Sequence, residues 1–386
     1  APSSALFATA IDPLTGNPVL AVYDNVNNNG QVLVYKCTSN CNGPAPATWQ
    51  QIGSAVDTNL GILTWNDAED PRPVSVAVDS SGTIWVAYQS TTAPTSGMPP
   101  CSAILANNLG PSGSWSAISA DAAAFAGVFG GSPPAYNCTA DGAEGSNVRD
   151  QGRWISVTVG PTFGPEIAFG GSTGDGTSRV FAQPCTSNCS GQPASTMTFF
   201  ANGARDADSF TEHVGRWVSM SAFDGNQSRL LYQHSSLLRY SEFVYGLSSS
   251  GAAVGAFPAY ASMAHDGTST AIAYYDTNAS KAQLSTCTTA SCSSFTGRLV
   301  DISGDDTGRY ASVAIGQGQS TAVISYYDVQ TDLLMLASTP VSSLTTPTSI
   351  PIAYGATGSS ISATGAGNAR LIYTTNNGTQ FKSFAQ

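Results

Sequence analysis

The sequence predicts an all-β fold, a β-propeller of seven four-stranded antiparallel blades, and three observations predict it. A two-strand unit recurs along the whole chain, its copies are spaced for about four strands each, and the composition is that of a turn-rich sheet protein. The clearest copy is Gly308–Asp328, GRYASVAIGQGQSTAVISYYD. Tyr310–Ile315 reads as a short strand, Gly316–Ser320 as a turn of small and polar residues, and Thr321–Tyr327 as a second strand rich in β-branched and aromatic residues. The unit returns at Arg72–Gln89, Arg153–Gly170, Arg216–Gln233 and Ala259–Asp276, and in weaker form at Ala5–Asp24 and Gly358–Thr375. Successive copies start about 43 to 81 residues apart. Gly, Pro, Ser, Thr and Asn are abundant, as many tight turns require.

Each blade is read as strands A to D from the ring axis outward. The blades span approximately 4–57, 72–120, 153–201, 216–256, 259–303, 309–354 and 358–386, and all 386 residues belong to one propeller domain. In blade one the strands are Leu6–Ile11, Pro18–Tyr23, Gln31–Cys37 and Thr48–Ser54; in blade two Val74–Val78, Thr83–Tyr88, Ser102–Ala106 and Trp115–Ser119. Blade three has its D strand near Thr196–Ala201, blade four its C strand at Leu237–Val244, and blades five and six their D strands at Arg298–Ile302 and Ser349–Ala353. Blade seven runs Ser360–Thr364, Ala369–Thr374 and Gln380–Phe384, and it lacks an outer D strand. Its outermost strand, Gln380, Phe381, Lys382, Ser383 and Phe384, would present an unpaired edge guarded by one charge. Such an edge is a candidate for self-association, as a homo-oligomer or filament, or for docking of a partner.

Within strand A, Ser75, Ser156, Ser219, Ser262 and Ser312 are equivalent, with Val, Ile, Met or Ala on either side. Small residues on one face let neighbouring inner strands approach closely, which is a structural role. The longest insertions, Asp57–Pro71, Ser90–Pro100, Asp121–Gln151 and Asn202–Val214, all fall on the D-to-A or B-to-C side of blades one to four, the top face. Loops of that length in a compact repeat point to a recognition surface.

Charge bounds the partners. With 10% charged residues, a net charge of −11 and three lysines, the chain lacks the cations that nucleic acid or an anionic membrane surface would require. No apolar run is long enough to span a bilayer, so membrane insertion is not expected. The eight cysteines form three close pairs, Cys37/Cys41, Cys185/Cys189 and Cys287/Cys292, with Cys101 and Cys138 left to pair with each other. Zinc is the competing reading, but close pairs on distant blades do not converge on one ion. Disulfides imply an oxidising, extracytoplasmic setting. The start, APSSAL, reads as a mature end after removal of a signal peptide, and the expected location is secreted, extracellular or at the cell surface.

The principal candidate site is a ring of arginines at the start of strand A: Arg72, Arg153, Arg216 and Arg309. Acidic residues precede each (Glu69 and Asp70, Asp150, Glu212, Asp305 and Asp306), and an aromatic follows three of them, Trp154, Trp217 and Tyr310. Arginine beside carboxylate and aromatic faces suits a sugar carboxylate or sulfate. The competing reading is a repeated salt bridge that staples each D-to-A loop to the next blade. Of the three histidines, His265 lies inside a strand A as scaffold, and His213 is the one placed in a top loop. A polysaccharide lyase would draw its acid and base from His213, Arg216, Tyr136 and Tyr260. GGSTG at Gly170–Gly174 matches GxSxG, yet a polar turn rather than a helix follows, so it is no nucleophile elbow. NVNNNG at Asn25–Gly30 has the spacing of a DxDxDG calcium loop with Asn at all three ligand positions; calcium is the one cofactor that fits, and otherwise no metal or cofactor is expected. N-x-S/T sequons mark Asn137, Asn188, Asn226, Asn278 and Asn377 for possible glycosylation.

The chain as a whole resembles secreted seven-bladed propellers with a GRxxSxA…IxYYD repeat, which implies a fold and no particular chemistry. PRPVSVAVD followed by SSGTIWVAY also resembles the arginine-bearing first strand of sialidases, although no SxDxGxTW box occurs. Two functions follow. One is a non-enzymatic extracellular module that binds glycan, adheres, or assembles with copies of itself. The other is a carbohydrate-active enzyme, an acidic-polysaccharide lyase or glycoside hydrolase, at the top mouth of the channel.

Overall fold

The computed structural model describes residues 6–24, 30–41, 46–58, 60, 72–90, 102–108, 114–119, 149–160, 164–173, 178–184, 198–202, 216–222, 227–244, 247–248, 252–289, 292–303, 306–316, 320–343, 345–356, 358–364, 368–375 and 378–384. Among them the regular structure is β-strand, and the strands fall into seven antiparallel sheets. The first holds β1 (Leu6–Ile11), β2 (Pro18–Asp24), β3 (Gln31–Ser39) and β4 (Thr48–Gln51). The second holds β5 (Val74–Val78), β6 (Ile84–Ser90), β7 (Ser102–Asn108) and β8 (Trp115–Ser119). Next come β9 (Arg149–Val159), β10 (Pro165–Thr173), β11 (Ser178–Pro184) and β12 (Thr198–Asn202). The fourth sheet has β13 (Ser219–Ala222), β14 (Gln227–His234), β15 (Leu237–Val244) and two short outer pieces, β16 (Leu247–Ser248) and β17 (Ala252–Ala256), both paired with β15. The fifth has β18 (Pro258–His265), β19 (Thr270–Asp276), β20 (Lys281–Cys287) and β21 (Thr296–Leu299); the sixth β22 (Thr307–Ile315), β23 (Thr321–Asp328), β24 (Leu333–Pro340) and β25 (Thr348–Tyr354). The last has three described strands, β26 (Gly358–Ala363), β27 (Ala369–Thr375) and β28 (Gly378–Phe384).

Burial explains the sequence pattern strand by strand. Second strands such as β6, β19 and β27 are covered on both faces by adjacent blades and are buried almost throughout, so they read as continuous apolar runs. Outermost strands such as β4 and β25 are largely exposed and polar or mixed. Buried clusters lie between consecutive sheets: one joins Val19, Val34, Val74 and Val86 of the first two, another Ile324, Val313, Leu284 and Ala273 of the fifth and sixth.

The innermost strands form a closed circuit. β1 packs on β5, β5 on β9, β9 on β13, β13 on β18, β18 on β22, β22 on β26, and β26 back on β1. The repeated serine is what links them. Each Ser Oγ accepts a backbone N–H of the next inner strand, one residue beyond that strand's own serine: Ser75 from Val157 (3.1 Å), Ser156 from Met220 (2.8 Å), Ser219 from Met263 (3.2 Å), Ser262 from Val313 (3.4 Å) and Ser312 from Ile361 (3.2 Å). Ser360 closes the circuit through a 2.8 Å contact with the Thr9 hydroxyl. Serine therefore does more than allow close approach. It supplies the acceptor for one N–H on each of five inner strands.

Several strand positions differ from expectation, each for a local reason. β21 ends at Leu299 and not Ile302, because the Asp301 carboxylate takes the Ser303 N–H at 2.8 Å and turns the chain, leaving Ile302 72% exposed. β9 starts at Arg149 and not Arg153, since beyond a bulge at Gly170/Gly171 the residues Gly171–Thr173 go on pairing with Arg149–Gln151. The A-to-B turns are held by aspartates: Asp12 accepts the Leu14 N–H, Asp79 those of Ser81 and Thr83, and Asp266 those of Thr268 and Ser269. The final aspartate of the YYD repeat does the same for the B-to-C turn at Asp276 and Asp328.

Candidate functional site

Inside the circuit of inner strands lies a cavity of about 240 Å³, walled by Thr9, Ser75, Ser156, Ser219, Ser262 and Ser312 among others, with Tyr310 and Arg72 at its lining. Arg72 is the one charged residue in the described lining. Its guanidinium reaches across to the far side, donating from Nη1 to the Ala261 carbonyl (2.9 Å) and from Nη2 to the Ala311 carbonyl (3.0 Å). It also lies 5.7 Å from the centre of the Trp217 ring.

The aromatic after the arginine position sits at a repeated backbone irregularity. Trp217, Tyr260 and Tyr310 have φ of 57°, 53° and 56°, and the pairing slips at Ala259/Ser262 and again at Arg309/Ser312. A bulge with one left-handed residue turns the ring out of the strand and over the next blade. The rings consequently form an arc: Trp154 to Trp217 at 6.2 Å, Trp217 to Tyr260 at 5.1 Å, Tyr260 to Tyr310 at 5.1 Å. Tyr275 and Tyr327, the second tyrosines of their YYD units, join it at 6.1 Å from Tyr260 and 6.0 Å from Tyr310. Gly308 (φ 122°) precedes the sixth-sheet bulge, and a Cβ there would meet the Ala282 backbone at 2.7 Å, so only glycine fits.

Exposure divides the arc. Trp154 and Trp217 are 6% and 4% exposed, whereas Tyr260, Tyr310 and Tyr327 are half-buried and offer part of a face to solvent. Arg216 lies 5.4 Å from the Trp154 ring centre. Arg309 pairs with Asp306 at 3.1 Å, side chains 41% and 31% exposed. Burial opposes the charge on Arg309, but Asp306 and the phenols of Tyr260 and Tyr275 outweigh it and hold the guanidinium more firmly protonated. Asp306 also accepts from the Tyr275 hydroxyl at 2.8 Å, and Asp332 from that of Tyr327. Burial and the Asp332 contact push the Tyr327 phenol up to about 12. Tyr310 joins the arc to the cavity lining, and Arg309, Asp306 and Asp332 lie beside its rings, so the surface can stack on a planar or C–H face and exchange hydrogen bonds.

Of the expected site residues, Arg72, Trp154, Arg216, Trp217, Arg309 and Tyr310 come together here. The Arg153 side chain, Tyr136 and His213 lie outside the described residues, as do Glu69, Asp70, Glu212 and Asp305. Arg309 makes a local salt bridge, whereas Arg72 holds backbone carbonyls 189 and 239 residues away, a role that neither arginine reading anticipated. Tyr275, Tyr327 and Asp332 were missed, although the repeated YYD placed two of them.

Elsewhere, Cys37–Cys41 and Cys287–Cys292 are disulfides, and Cys101, Cys138, Cys185 and Cys189 lie outside the described residues. Asn278 is exposed on a B-to-C turn, while Asn137, Asn188, Asn226, Asn377 and residues 25–29 of the calcium-like loop are not described. Gly170–Thr173 continue β10 as strand. His265 is half-buried at the end of β18, its Nδ1 3.0 Å from the Thr270 hydroxyl. Burial, and then the nearby Arg229 charge, lower its pKa to about 4. Glu166, 2% exposed, takes a hydrogen bond from Ser228 of the next sheet, and burial outweighs that bond to raise its pKa to about 7. On β28, Gln380 and Lys382 are exposed and Phe381, Ser383 and Phe384 half-buried. The Phe381 ring lies 5.5 Å from Trp49 of β4, and Lys382 Nζ donates to the Ile352 carbonyl of β25 at 2.9 Å. No helix among the described residues is long and apolar enough to cross a membrane, and no group of three metal-ligating side chains occurs among them.

No protein-family model matches the chain, and no curated protein does. Solved structures do match it. The β-propeller domain of the Trilobed protease from Pyrococcus furiosus aligns with a TM-score of 0.50 at 8% identity, covering 99% of this chain and 96% of that one. A Hadza microbial sialidase gives 0.50 at 11% identity over 96% of this chain and 74% of its own. The alpha-L-arabinanase of Penicillium chrysogenum, in complex with arabinobiose, gives 0.49 at 10% identity, covering 100% and 94%. At these identities the two matches at a TM-score of 0.50 speak for fold alone, and the fold is an all-β propeller of four-stranded antiparallel blades.

Proposed function

We propose that the chain is a single seven-bladed, extracellular propeller that binds glycan without transforming it, with its recognition surface at the channel mouth. One observation carries the reading: three half-buried tyrosines, Tyr260, Tyr310 and Tyr327, form an arc, and its middle member Tyr310 lines a cavity walled by serine and threonine hydroxyls. Aromatic faces beside hydroxyl donors and acceptors are the equipment for holding a sugar ring. The long top loops of blades one to four would extend this surface, and the two disulfides support an oxidising, secreted setting. The three described strands of β26–β28 form the seventh blade, and the outer edge of β28 is its association site with another copy. A glycan array run beside assays for new reducing ends and for unsaturated lyase products tests the reading. Binding with no product is expected; turnover of any bound glycan would replace it with the enzymatic alternative.

A further inference from the structure

We infer that the bound glycan is read as a chain, laid outward over the top of the sixth blade from Tyr310 to Tyr354, an inference that rests on the glycan-binding reading above. In that blade β22, β23, β24 and β25 are hydrogen-bonded in order from the channel outward. Tyr310 stands near the start of β22, where it lines the cavity, and Tyr327 near the end of β23, their ring centres 6.0 Å apart. The Tyr327 hydroxyl donates to the carboxylate of Asp332, in the turn before β24. The Asp332 carbonyl accepts the Gly355 N–H at 3.0 Å, which holds the end of β25 beside it. Tyr354, the last residue of β25, pairs with Leu333 across the sheet and is 73% exposed. One continuous path therefore runs from the channel to the outermost strand of the blade.

The path has the chemistry of successive sugar subsites. Most of the Tyr354 side chain stays in water, so covering its ring with the C–H face of a sugar gains apolar burial that folding leaves unused. Between the inner and outer rings lies the exposed carboxylate of Asp332. It has acceptor sites beyond the one that Tyr327 uses, and sugar hydroxyls can donate to them. Three strand-to-strand steps separate Tyr310 from Tyr354, about 14 Å. A single sugar ring cannot touch both, whereas a linear oligosaccharide can. Tyr310 and Tyr327 would hold its inner end and Tyr354 its outer one.

Isothermal titration calorimetry of the full chain tests this with cello-, xylo-, chito-, manno- and galacturono-oligosaccharides, each series running from the monosaccharide to the hexasaccharide. In the series that binds, affinity should climb with each added sugar until the chain reaches Tyr354, and then level off. Tyr354→Ala should weaken the longer members about tenfold, the worth of one stacking contact, and leave the shortest member that binds within about twofold of the parent. Because Tyr354 is exposed, loss of its ring leaves the core intact. Phe257→Ala removes another exposed aromatic, 48% exposed between β17 and β18, and should leave every affinity unchanged. Affinity independent of length, or a Tyr354→Ala profile that overlays the parent's, would overturn the outward path and leave the glycan-binding reading standing. No binding by any member of any series would overturn both.

Discussion

The Arg72 Nη2 donates to the carbonyl oxygen of Ala311 at 3.0 Å across the central cavity, joining residues 239 positions apart in the chain. With its second bond to Ala261 this makes Arg72 a strut between the second blade and the fifth and sixth. Charged hydrogen bonds of this kind are worth roughly 1.5–3 kcal/mol each before screening, and half-burial puts the pair toward the lower end. Arg72→Ala should lower stability by about 2–4 kcal/mol, and Arg72→Lys should recover less than half, because a single ammonium cannot hold both carbonyls. Chemical denaturation with both variants checks this. A loss under about 1 kcal/mol would show that the strut is dispensable.

The serine circuit makes a second prediction. Ser156→Ala leaves the buried Met220 N–H without its acceptor and should cost about 1–3 kcal/mol. Ser156→Thr keeps the oxygen and should cost less, unless the added methyl collides. Melting curves of the two variants separate a hydrogen-bonding role from a merely spatial one.

A buried carboxyl and a half-buried imidazole make opposing contributions to pH dependence. Glu166 has its folded pKa raised to about 7, so the folded state holds the extra proton. Its contribution is full below about 4.5, falls as pH rises toward 7, and is flat above, a change of roughly 3 kcal/mol. His265, lowered to about 4, works the other way: it favours folding above its unfolded value near 6.5, and that stability is lost as pH falls toward 4. Between pH 4.5 and 6.5 the two partly cancel. Glu166→Gln should therefore make the protein lose stability on acidification through that window, and His265→Gln should make it gain. Identical pH profiles for both variants and the parent would contradict these environments.

Most of the propeller was legible because its determinants are local and repeated. The alternation around Ser75, Ser156, Ser219, Ser262 and Ser312 marks five of the seven inner strands, and Asp12, Asp79 and Asp266 mark three of the turns that follow inner strands. The mouth was legible only in part. Trp154, Trp217 and Tyr310 stand beside arginines in the sequence, and the arc they form could be anticipated from that repetition. The partners of Arg72 could not, since backbone carbonyls leave no mark on residue type. Nor could the left-handed backbone at Trp217, Tyr260 and Tyr310, since each is an ordinary aromatic and not a glycine.

Closure by disulfides gives a further test. Each of the loops Cys37–Cys41 and Cys287–Cys292 is short and should contribute about 2 kcal/mol by the chain-entropy estimate. Replacing either pair with serines should cost about that much. Mass spectrometry of a non-reduced digest should show both pairs, together with Cys101–Cys138 and Cys185–Cys189; a free thiol or a pairing between blades would contradict the scheme.

At the outer edge of β28, self-association should appear in light scattering of the full chain and disappear in Lys382→Pro, which removes a strand N–H and the contact to Ile352. A monomer at high concentration, indifferent to that change, would remove the edge from the account.

The central claim is that the tyrosine arc over the channel holds a sugar. A structure of the protein with an oligosaccharide chosen from the array tests it most directly. The account predicts an intact oligosaccharide with a ring stacked on Tyr310 or Tyr327 and its hydroxyls directed into the serine-lined cavity. A sugar bound on the opposite face, along β28, or cleaved at the mouth would contradict it.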